Sequence, residues 1–121
     1  MSNPINEKDM IDAFKESLEA KDMIKTRVIL SYIENVNRKV QNRLLFELVR
    51  VDVNFHLPLL IYLMNQHQAF CQAFPIIEET LIAHAIDYPE SFANALNAEA
   101  VTDSTILIAI AEKAKEKQQV K

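Results

Sequence analysis

The sequence predicts an all-α protein, and three observations carry that expectation. The 121 residues include no glycine, whereas sheet-rich folds lean on glycine for hairpin turns and bulges. Apolar residues recur at the i, i+3/i+4, i+7 spacing of a helical stripe along most of the chain. Residues 57–64, reading LPLLIYLM, contain no ionic side chain, and a helix apolar on every side must be surrounded by neighbours. That run is far shorter than the roughly 20 residues needed to cross a bilayer. Six or seven helices are expected, in one domain over residues 1–112.

The first helix is expected over residues 7–20, with Met10, Ile11, Phe14 and Leu18 as its stripe. Asn6 suits the N-cap, and Glu7 and Asp9 suit the positive end of the helix dipole. After a short turn at Lys21-Asp22, a second helix spans residues 22–36. Its expected buried face is Ile24, Val28, Ile29, Tyr32, Ile33 and Val36, and Asn35 and Asn37 bracket its end, where Asn can take a left-handed conformation. The third, residues 38–51, turns Val40, Leu44, Leu45, Leu48 and Val49 inward. Lys39, Arg43, Glu47 and Arg50 stand opposite.

Asp52 or Asn54 caps the apolar helix, which runs to about residue 67. Pro58 is tolerated in its first turn and kinks it if Asp52 is the cap. Pro75 divides the stripe Phe70, Phe74, Ile77, Leu81 into one turn over 69–73 and a helix over 75–86. A short helix over 89–96 carries Phe92 and Leu96 inward. Thr102 or Asp103 caps a last helix that packs Ile106, Leu107, Ile110 and Ala111. From Lys113 the apolar positions run out, so residues 113–121 read as a lysine-rich tail or the start of a linker in a longer protein.

Charge is divided unevenly. The net charge is -4, yet from Val51 to Glu112 there is no Lys or Arg, only the acids Asp52, Glu78, Glu79, Asp87, Glu90, Glu99, Asp103 and Glu112. Such a surface repels nucleic acid and anionic membrane and favours basic partners. The opening residues MSNPINEKDM lack the apolar core of a signal peptide. A single cysteine, Cys71, cannot form an internal disulfide, so a reduced, cytoplasmic setting is expected.

Apolar positions also recur in a cadence: Val28-Ile29, Leu44-Leu45, Leu60-Ile61, Ile76-Ile77, Phe92 and Leu107-Ile108. A fixed step of one helix plus one turn is the rhythm of stacked helical hairpins. Over residues 7–111 the chain resembles a short HEAT-like repeat array. The family's Asp-Val-Arg signature has its nearest counterpart in Val51-Asp52-Val53, which lacks the arginine. The resemblance implies antiparallel hairpins offering an extended surface to another protein; the alternative fold is an irregular α-helical bundle.

Chemistry-bearing motifs are sparse. The lack of glycine excludes the P-loop and the dinucleotide fingerprint. His67 and Cys71 are four apart, on one helical face, but zinc needs three or four ligands, and only His84 and Glu78 could join them. His56 and His84 lie among apolar neighbours and read as hydrogen-bonded, partly buried histidines rather than general bases. No nucleophile signature is present, so neither enzymatic activity nor a cofactor or metal is expected. The stripe Lys39, Arg43, Arg50 is the alternative nucleic-acid surface, but acids interleave it and no aromatic residue is expected to accompany it for base stacking.

The expected function is a protein-interaction or scaffold module, one domain of a larger cytoplasmic signalling or regulatory protein. A basic partner is expected to dock on Glu78, Glu79, Asp87 and Glu90, with Tyr88 as aromatic anchor.

Overall fold

The computed structural model describes residues 6–99 and 105–119. Among them are eight α-helices and one turn of 3-10 helix, with no strand: α1 (Glu7–Glu19), α2 (Met23–Leu30), the 3-10 turn (Ile33–Asn35), α3 (Arg38–Val49), α4 (Val53–Gln66), α5 (Gln68–Gln72), α6 (Pro75–Asp87), α7 (Pro89–Ala98) and α8 (Thr105–Gln119). The chain forms two compact units, Met1–Phe55 and His56–Lys121.

In the first unit, α1 packs on both α2 and α3. Asn6 caps α1 by accepting the Asp9 N–H at 3.2 Å, and Asn37 caps α3 by accepting that of Val40 at 3.0 Å. The α1 C-terminus closes with the Lys21 N–H on the Leu18 carbonyl and the Asp22 N–H on the Ser17 carbonyl. That paired closure needs a left-handed residue between helix and loop. Lys21 fills the position at φ 53°, the one residue of positive φ among those described. Asn35 and Asn37 do not supply it: Asn37 is extended, at φ -74°, as the N-cap of α3.

The second helix departs most from expectation. It ends at Leu30, six residues short, and it is rotated. Thr26, Leu30 and Ile33 are buried, while Ile24, Val28 and Tyr32 are exposed, Ile24 to 77%. A polar relay accounts for the rotation. Thr26 Oγ1 lies 2.8 Å from Ser17 Oγ and 2.7 Å from the Asp22 carbonyl, and the Ser17 hydroxyl donates to the Phe14 carbonyl. Because Ser17 and Thr26 satisfy each other, they can be buried without the cost of an orphaned hydroxyl.

On α3, Val40, Leu44, Leu45 and Leu48 are buried as expected, but Val49 and Phe46 are exposed and Glu47 is buried. Arg43 Nε and Arg50 Nη1 approach the Glu47 carboxylate at 3.5 and 3.8 Å.

Asp52 initiates α4 by accepting the Asn54 N–H at 3.1 Å, so Pro58 falls inside the helix and not in its first turn. Leu57, Leu59, Leu60, Ile61, Leu63 and Met64 are all buried, as a run without a polar face requires. In the second unit α6 is the hub, packing on α5, α7 and α8. Phe70, Phe74, Ile77 and Leu81 form one buried stripe despite the break at Pro75, with the Phe70 and Phe74 rings 4.8 Å apart.

The C-terminal segment is helix rather than loose tail through Gln119. Leu107, Ile110 and Ala114 are its buried face, and Lys113 Nζ meets Glu78 Oε1 at 2.7 Å. Leu96 and Ala111, expected inside, are only half-buried. The expected cap at Thr102 or Asp103 and the Ile106 side chain lie outside the described residues.

Candidate functional site

Two prolines shape the surface of the second unit. A residue before proline is driven out of the helical region, and Phe74 and Tyr88 both sit near φ -130°, one helix apart. Tyr88 therefore ends α6, its N–H donating to the His84 carbonyl at 2.7 Å, and begins α7. Tyr88 is 46% exposed at this bend.

Along α6, Ile76, Glu79, Ala83 and Asp87 are exposed at i, i+3, i+7 and i+11. Glu79 and Asp87 thus share one ridge, with Tyr88 and exposed Glu90 at its C-terminal end. Glu78 does not join them: it is turned toward α8 and paired with Lys113. Asp87 lies in the last turn of α6, where the helix dipole disfavours an acid. It also lies directly before α7, whose N-terminus favours an acid.

Behind the ridge lies a histidine pair. His56 Nε2 and His84 Nε2 are 2.8 Å apart, with ring centroids at 5.0 Å, so one ring donates and the other accepts. His56 is buried, and the His84 and Tyr88 rings meet in a T-shaped arrangement with centroids 5.8 Å apart. Burial, and then the facing His56, hold the His84 pKa below its ordinary 6.5 against an upward pull from Asp87. The sequence predicts each histidine to be partly buried, as His84 is, whereas His56 is buried; a partner 28 positions away leaves no local signal.

The His67 and Cys71 spacing, weighed as a zinc pair in the sequence, gains no further ligand from His84 or Glu78. His67 lies near Tyr62, with 3.4 Å between Nε2 and the phenol oxygen, and Cys71 is buried. His84 and Glu78, the two candidate recruits, face His56 and Lys113 instead. No group of three or more His, Cys, Asp or Glu among the described residues could hold a metal ion. No helix among them is long and apolar enough to cross a membrane.

The first unit has a feature of opposite charge. A groove of about 400 Å³ between α1 and α3 is lined by Ile11, Val40 and Phe46, with Lys39, Arg43 and Glu7 at its edge. Phe46 is 56% exposed, and the Arg50 guanidinium lies 5.3 Å from its ring centroid. An aromatic ring does accompany the basic stripe, contrary to the sequence reading. The signal was present: Phe46 lies in the i+3/i+7 register with Arg43 and Lys39. Compared with protein-family models, curated proteins and solved structures, the chain matches none.

Proposed function

We propose that this protein is a non-catalytic protein-interaction module that binds a basic partner along the α6 ridge. The observation carrying this reading is the ridge itself: exposed acids Glu79, Asp87 and Glu90 alternate with exposed Ile76 and Tyr88. Apolar side chains give such a contact its affinity, and the charges give it orientation and speed. The alternative, nucleic acid on the Lys39–Arg50 stripe, has less support, because Glu47 engages both arginines.

The scaffold is read as a short HEAT-like stack. Within each unit one helix packs on the next and the next but one, α1 on α2 and α3, α6 on α7 and α8, as successive layers of hairpins do. Weighing against it, the cadence pairs are unequal: Leu44-Leu45 and Leu60-Ile61 are buried, but Ile76 and Ile108 are exposed. A cytoplasmic setting suits a single buried thiol. Capture from a lysate of the source cells, with the parent chain and with Glu79→Lys/Asp87→Lys, tests the proposal. A protein retained by the parent and lost by the variant supports it; identical retention contradicts it.

A further inference from the structure

The first unit carries a second surface that the α6 proposal does not use. We propose that the groove between α1 and α3 docks an acidic amphipathic segment of another protein, its large apolar side chains seated against Ile11, Val40 and Phe46 and its carboxylates meeting Lys39 and Arg43. This inference rests on the first unit alone and stands or falls independently of the α6 ridge.

Burial is the first ground. Val40 is buried but still lines the groove, and Ile11 is half-buried, so the floor is apolar, while Phe46 stands exposed at one wall. An amphipathic helix laid in a groove is read through large apolar anchors at helical spacing, and an exposed aromatic wall is the kind of contact that carries binding energy. The Arg50 guanidinium over Phe46 holds that ring beside positive charge.

Charge complementarity is the second. Glu7 is the acid of the groove edge, and it accepts a hydrogen bond from Asn37 Nδ2. Lys39 and Arg43 are both exposed at that edge. Carboxylates flanking the apolar anchors would therefore meet cations. A polyanion fits less well, because an apolar floor gives nothing to phosphates.

The test is fluorescence anisotropy with three labelled probes. These are a synthetic helical peptide with leucine and phenylalanine on one face and glutamate on the other, its lysine counterpart, and an oligothymidylate. The acidic peptide should bind saturably and the lysine peptide should not. Lys39→Glu and Phe46→Ala should each weaken binding by roughly tenfold. Thermal melts establish that each variant is folded; Lys39→Gln and Phe46→Leu, milder changes, replace any that is not. Absence of saturable binding, equal binding of the lysine peptide, or indifference to the groove variants overturns the proposal. Tighter oligothymidylate binding with a steep salt slope overturns it too, assigning the groove to single strands.

Discussion

His56 and His84 meet Nε2 to Nε2 at 2.8 Å, joining α4 to α6 through a bond that neither helix could make alone. The bond requires one ring nitrogen to carry a proton and the other to lack it. Two imidazolium rings would point N–H at N–H, so the arrangement cannot survive full protonation of both.

Stability should therefore fall on mild acidification. The folded-state pKa of His84 is lowered from 6.5, so the unfolded chain binds the proton more readily. The resulting stability is fully present above about pH 6.5 and is lost as pH falls through the lowered folded value. The melting temperature of the parent should drop over that window. His84→Gln, less stable at neutral pH, should show a flatter profile. Equal slopes in both proteins would remove the pair from the account.

Lys21 is the place where the backbone is most open to improvement. At φ 53° it occupies the position glycine usually takes after a helix. Lys21→Gly should stabilise the chain by about 0.5–1 kcal/mol, the left-handed strain less the extra chain entropy of glycine. Denaturant melts would read this directly; a loss of stability would mean the strain is relieved locally by other contacts.

Leu60 is fully buried in α4. Leu60→Ala should cost about 2–5 kcal/mol, through lost transfer free energy and the cavity left behind. A variant melting within a degree or two of the parent would contradict the packing described for this helix.

Cys71 is buried near Phe70 and Phe74 and should behave as a small apolar side chain. A bulky thiol reagent should label it slowly under native conditions and rapidly in denaturant. Rapid native labelling would show that α5 opens readily.

Much of the fold was legible because most helices obey local rules. Asn6, Pro75, Pro89 and the periodic stripes marked α1, α3, α6 and α7 to within a few residues. The failures were tertiary. The periodicity of α2 favours Ile24 and Val28 as the buried face, but the Ser17–Thr26 relay turns that face outward. Glu47 looked like a solvated acid because its two arginines, at i-4 and i+3, also looked solvated. Of the acidic site, Glu79, Asp87, Tyr88 and Glu90 are exposed as expected. Glu78 is turned instead toward Lys113, expected in a loose tail, which reaches it from α8. The Phe46 groove went unseen, since Ile11 and Val40 come together only when α1 packs on α3.

The interaction proposal is tested most directly by association kinetics with the captured partner, once purified. The parent chain should bind with a rate that falls as salt screens the acids over about 10 Å at 0.1 M. Glu79→Lys/Asp87→Lys should bind more slowly and with a flatter salt dependence, while its melting temperature stays near that of the parent, because both residues are exposed. The same rate and the same salt slope in the variant would show that the α6 ridge is only a soluble surface.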